Sequence, residues 1–203
     1  MTGTRTLRRR RGVAVLVLWL AAAPAIAGER QIRPFIAATF SGATTFSGTG
    51  NATEKTHAAV GVSGMWLGEI VGIEGDLTHA PGFFQSGDRG LVLDSRVTTL
   101  MGNVVVAAPG RKTQYGLRPY FAGGAGLMWI HIASTFGVFQ VAETMGAIDV
   151  GGGVQGYLTN RVGVGWDVRR FNGISKTGEP GVTTTGREQV SFWRASMALV
   201  IRY

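Results

Sequence analysis

The chain has 203 residues, 45% of them apolar, a formal net charge of +8, 32 glycines and no cysteine. That apolar content excludes a disordered chain, and the length suits one module with a sizeable core. Without cysteine there is neither a disulfide framework nor a thiolate metal site.

Much of the positive charge is local. Arg5, Arg8, Arg9, Arg10 and Arg11 precede the apolar run GVAVLVLWLAAAPAIA, which closes on the small-x-small triplet Ala25-Ile26-Ala27. Residues 1–27 therefore read as a secretory signal peptide removed before Gly28, and residues 28–203 as the mature domain. The run falls short of the ~18 residues of a spanning helix, and Pro24 interrupts its end. With those five arginines set aside, 15 Lys and Arg stand against 12 Asp and Glu, a net charge of +3. Beyond the leader the longest basic runs are the pairs Arg111-Lys112 and Arg169-Arg170, so no nucleic-acid interface is expected.

After Ala27 no stretch has 18 consecutive apolar residues, and apolar side chains recur with period two. Eight strands are predicted, over 31–40, 57–67, 70–80, 92–106, 119–131, 145–158, 162–171 and 189–203. Each is at or above the ~9 to 11 residues with which a tilted strand crosses a bilayer. Short turns at Gly68-Glu69 and 159–161 alternate with long polar connectors after the first strand and near 81–91, 132–144 and 172–188. APGRKTQYGLRP departs from this pattern, since it puts about a dozen residues on the short-turn side.

Successive side chains of a strand point to opposite sides, so each segment splits into two faces. In the third strand Val71, Ile73 and Leu77 oppose Glu74, Asp76 and Thr78. The fourth sets Leu93, Val97 and Met101 against Asp94, Arg96 and Thr98. The sixth sets Ile148, Val150, Val154 and Leu158 against Asp149, Gln155 and Tyr157. In the seventh, VGVGWDVRR, Val162, Val164, Trp166 and Val168 oppose Gly163, Gly165, Asp167 and Arg169. The eighth sets Trp193, Ala195, Met197, Leu199, Ile201 and Tyr203 against Arg194, Ser196 and Arg202.

A soluble barrel turns its apolar face inward and a transmembrane barrel turns it outward. Periodicity alone leaves both open, and three further features select charge inside. Gly72, Gly151, Gly153, Gly163 and Gly165 share the charged face, which suits a crowded lumen that sets small residues beside large ones. Trp66, Trp129, Trp193, Tyr120, Tyr157 and Tyr203 sit near segment ends, as headgroup girdles require. The chain stops on the alternating strand RASMALVIRY, which in lipid must pair with the first strand to leave no open edge. An even strand count then returns both termini to the periplasm.

RPFIAATFSG, RPYFAGGAGL, YLTNRVGVGWDVRRF and the ending SMALVIRY resemble small eight-stranded outer-membrane barrels of the OmpA/OmpX type, over essentially the whole mature chain. The resemblance implies an all-β, eight-stranded, antiparallel up-and-down transmembrane β-barrel in the outer membrane. Ser196, Ala198, Ile201 and Tyr203 are similar to the C-terminal pattern that the outer-membrane assembly machinery reads, with alanine for the usual glycine and tyrosine for the commoner phenylalanine. The peptidoglycan-binding domain that follows the barrel in some relatives is not expected after Tyr203.

The inward set expected from the faces holds Glu74, Asp76, Asp94, Asp149 and Asp167 with Arg96, Arg169, Arg194 and Arg202, nearly balanced. An eight-stranded lumen is just wide enough to be filled by side chains, so a paired polar core is expected rather than a channel. His57, His79 and His131 lie at strand ends without metal-ligand spacing. Ser134 follows His131 by three residues, which puts the two on opposite strand faces and argues against a lipid A deacylase pair. GGAG and GGG complete no phosphate-binding motif, and no role is assigned to the acceptor tripeptide Asn51-Ala52-Thr53. The sequence thus predicts a non-enzymatic monomer with no catalytic, cofactor or metal site and a structural or surface-contact role carried by its long loops. Its expected partners are outer-membrane lipid and lipopolysaccharide, the assembly machinery, and an outside partner that the residues do not name. The rival readings are a narrow diffusion pore and a lipid A-modifying enzyme.

Overall fold

The computed structural model describes residues 28–44, 56–83, 92–109, 116–134, 140–174 and 190–203. The predicted leader, residues 1–27, and most of the connectors lie outside them. Eight strands follow one another in chain order: β1 (Glu29–Thr44), β2 (His57–Leu67), β3 (Val71–Pro81), β4 (Val92–Ala107), β5 (Leu117–Ser134), β6 (Gln140–Tyr157), β7 (Val162–Ile174) and β8 (Val190–Arg202). Each pairs antiparallel with its neighbours, and β8 returns to β1, which closes the barrel as the ending on RASMALVIRY requires. Closure satisfies backbone groups that an open edge would strand in hydrocarbon.

The register fixes the tilt. From Arg30 the partners run Trp66, Ile73, Val104, Gly123, Val150, Arg170 and Trp193, and the path re-enters β1 at Phe40, ten residues further on. Such a stagger makes the strands lean from the barrel axis by roughly 35–45°. At the rim the β1–β8 register slips between Phe40 and Ala43, and Ser41 there takes a φ of 50°. This is a bulge at a barrel edge.

Grease lies outside and ions lie inside. Ile36, Ile73, Val104 and Phe121 are each more than half exposed, whereas Arg33, Arg169 and Arg194 are among the largest fully buried side chains. The faces predicted for β3, β7 and β8 are those observed. The inward glycines make room for the ions: a Cβ on Gly153 would lie 2.7 Å from Asp167 Cβ and 2.8 Å from Tyr120 Oη.

Three expectations need correction. On β4 it is Val97 and Met101 that are buried in the lumen, while Arg96 faces out. β4 sends Ser95, Thr99 and Asn103 inward instead, so Arg96 leaves the inward set; the side chain of Asp94 is outside the described residues. The cause is an apolar stretch of lumen. Towards the loop end, Val97, Met101, Met128, Ile130, Met145, Phe171 and Phe192 pack with Ala59, Ala80, Phe83, Ala147 and Val190, and hydrophobicity there marks the inner face. Secondly, Tyr120 and Tyr157 belong to no girdle, because both phenols turn inward to polar partners. Thirdly, β5 runs to Ser134 and β6 starts at Gln140, so much of the predicted 132–144 connector is strand.

Candidate functional site: the filled lumen and its two rims

The lumen is layered. Below the apolar cluster lies a belt of buried charge centred on Arg169, whose guanidinium is 2.6 Å from Glu74, 3.0 Å from Asp167 and 3.6 Å from Asp149. Arg33 lies 3.4 Å from Glu74 and donates to Tyr120 Oη at 2.6 Å. Arg194 grips Asp76 with two donors at 2.8 and 2.9 Å and also donates to Thr78. Phe35 and Phe171 flank Arg194 at 4.7 and 4.9 Å, so the belt grades into the apolar cluster through stacked rings.

Within this belt four carboxylates, Glu74, Asp76, Asp149 and Asp167, meet three guanidiniums. Neutral donors make up the difference. Ser196 donates to Asp167 at 2.7 Å and Tyr120 does so at 3.1 Å. Asn103, its amide oriented so that each end meets a complementary group, accepts from Arg169 at 2.8 Å and donates to Asp149 at 2.7 Å. These donors satisfy carboxylate oxygens that the three guanidiniums leave unpaired.

Towards the end that carries both termini a second apolar cluster follows, with Met65, Leu67, Val105, Ala107, Tyr120 and Ala122. A polar mouth lies beyond it. Gln31 donates to Glu29 at 2.6 Å and to Tyr157 Oη at 2.8 Å, and Arg202 Nε sits 2.7 Å from Glu29. Arg118 donates to the carbonyls of Ala108, Gly68 and Glu69 at 2.9, 2.9 and 2.7 Å, tying together two turns that are far apart in sequence.

Of the predicted inward set, the structure gathers Glu74, Asp76, Asp149, Asp167, Arg169 and Arg194 into the belt and puts Arg202 at the mouth. Sequence reasoning missed Arg33, Gln31, Tyr120, Asn103 and Arg118. The alternation of Gln31, Arg33 and Phe35 against Ile32, Pro34 and Ile36 was a usable signal for the first two.

The outer wall carries the rest. His79 faces out with Nδ1 2.9 Å from Thr98 Oγ1 and His131 faces out beside Arg96, whereas His57 shares the inward face of β2 with Ala59, its ring centroid 6.0 Å from that of Phe83. The side chain of Ser134 is outside the described residues. Among the described residues no group of three or more His, Cys, Asp or Glu has a metal-holding arrangement. Trp66 and Trp193 stand at opposite ends of the wall, with Arg30 over the first ring at 5.7 Å and Arg170 over the second at 5.5 Å.

A closed eight-stranded barrel with an ionic lumen and an apolar outer wall defines a class, the small outer-membrane β-barrel. Solved structures share this fold. The chain is similar to neisserial surface protein A (NspA), with a TM-score of 0.62 at 12% identity, over 86% of this chain and 97% of that one. It is similar to the N-terminal barrel domain of Pseudomonas aeruginosa OprF, with a TM-score of 0.52 at 17% identity, over 87% and 99%. Ail, the attachment invasion locus protein of Yersinia pestis, in complex with the heparin analogue sucrose octasulfate, gives 0.51 at 13% identity, over 86% and 99%. No protein-family model and no curated protein matches the chain.

Proposed function

We propose that this chain is a non-conducting outer-membrane barrel that acts as an envelope-stabilising scaffold and presents its long outer connectors for surface contact. One observation carries the reading: a belt of interlocked buried ions fills the lumen between two apolar clusters. A water-filled conduit needs open space lined by polar groups, whereas here the inward ions hold one another in direct contact. With the lumen occupied, contacts with other molecules fall to the loops and the outer wall, where a rigid scaffold positions them. The complex of Ail with a heparin analogue is a case in which a barrel of this fold carries a ligand.

Planar-bilayer recording of the purified, folded protein tests the reading. The expected trace is flat under applied voltage. Reproducible conductance steps would overturn it in favour of a narrow diffusion pore, and fatty-acid release from lipid A incubated with the folded barrel would overturn it in favour of a lipid-modifying enzyme.

A further inference from the structure

Three rows of outward side chains cross β3, β4 and β5 in register. The first is Leu77, Leu100 and Leu127; two residues nearer the loop end come His79, Thr98 and Trp129; two further come Pro81, Arg96 and His131. The wall thus changes from all-leucine to polar in a single step, and Trp129, an amphipathic ring suited to the headgroup region, stands at that step. Arg96 and His131 therefore lie just beyond the hydrocarbon.

These two bases are direct cross-strand partners, with Cβ atoms about 4.5–5.5 Å apart. Both side chains carry N–H donors, and an anion set between them would meet both. The ion pairs between described side chains lie in the lumen or at the mouth near the termini, none of them at Arg96 or His131; the side chain of Asp94, two residues from Arg96 on the same strand, is outside the described residues. The other two exposed wall arginines near an end of the barrel differ, since Arg30 and Arg170 each lie over a tryptophan ring. Among the described residues no ring lies under Arg96.

We infer that Arg96 and His131, with the His79–Thr98 pair beside them, form a binding site for the phosphomonoester headgroup of an outer-leaflet lipid, whose acyl chains lie along the Leu77–Leu100–Leu127 ridge. A guanidinium fork matches phosphate oxygens with two parallel donors, and an imidazole N–H alongside adds a further donor for a headgroup with three terminal oxygens. A free phosphate would have nothing to set against the leucines. The site rests on the outer-membrane reading given above, because only that orientation puts this rim in the outer leaflet.

The test is lipid retention. Full-length folded barrel is reconstituted in phosphatidylcholine vesicles doped with phosphatidic acid, returned to detergent, and its bound lipid counted by native mass spectrometry. The parent protein is expected to retain phosphatidic acid about tenfold better than the double variant Arg96→Gln, His131→Gln, and Arg30→Gln at the opposite rim is expected to retain it as the parent does. Equal retention by the double variant, or an equal loss in Arg30→Gln, would overturn the site. Doping with phosphatidylglycerol, a phosphodiester, is expected to give little retention; retention equal to phosphatidic acid overturns the phosphomonoester assignment. Full displacement of the lipid by inorganic phosphate would likewise assign a free-phosphate site and overturn a lipid one. Should the double variant not fold, Arg96→Lys keeps the charge and loses the fork; about threefold weaker retention is then expected, and no loss overturns the proposal. A barrel that conducts nothing and retains no phosphatidic acid would leave the scaffold reading standing and remove this site alone.

Discussion

Two layers of one lumen are filled by different physics. Around Arg169 the space is taken by charges that hold one another at 2.6 to 3.6 Å, whereas a few residues further up the same strands it is taken by methionine, phenylalanine and valine. The apolar layer draws stability from packing and tolerates substitutions that conserve its volume. The ionic belt gives little net stability for its size, because desolvation offsets much of the Coulomb attraction. Its members are intolerant of losing one partner, however, and that intolerance defines a single register. Packing fills the cylinder, and the ions specify how its staves line up.

The largest expected effect tests that contrast directly. Arg169→Ala leaves Glu74, Asp149 and Asp167 short of their shared cation. A loss of about 3–5 kcal/mol is expected, read from equilibrium unfolding in lipid vesicles. Met128→Ala in the apolar layer, a comparably buried site, is expected to cost about 2–5 kcal/mol and to lower the temperature at which the barrel loses its folded mobility on detergent gels. If Met128→Ala costs clearly more than Arg169→Ala, the two layers do not differ as described.

Smaller effects sharpen the comparison. Arg118→Ala frees the carbonyls of Ala108, Gly68 and Glu69, and about 1–2 kcal/mol of loss is expected, with faster hydrogen exchange confined to the end that carries the termini. Replacing Arg194 and Asp76 together, by Met and Leu, removes a bidentate pair without orphaning either member. Stability within about 1–2 kcal/mol of the parent is expected, in contrast to the large loss from Arg194→Met alone. Equal losses from the single and double changes would show that the pair is not the unit of the belt.

How far the sequence reveals this depends on the layer. β3, β7 and β8 cross the belt with clean alternation, so Asp76, Asp167, Arg169 and Arg194 announce their face. β4 misleads, because in the apolar layer Val97 and Met101 look like a lipid-facing pair and Arg96, at headgroup depth outside, looks like a lumen ion. Pattern alone cannot tell an apolar lumen from lipid. Tyr120 and Tyr157 mislead for a related reason: a phenol near a strand end suits both a headgroup girdle and a buried carboxylate, and here the partners are Arg33 and Asp167 for one, Gln31 and Glu29 for the other. The extra height of β5 and β6 lies in residues 132–134 and 140–144, which the sequence reading assigns to the connector.

The ten-residue climb around the wall has a consequence for assembly. If β8 were stitched to β1 one position out, Arg194 and Ser196 would be turned to the lipid face and Asp76 would be deserted. A slip of two would restore the faces but carry Arg194 about 7 Å along the strand, beyond reach of Asp76. The seam therefore proofreads itself: the last strand finds its berth by elimination, and whatever inserts the chain has only to hold its two ends together until the lock catches.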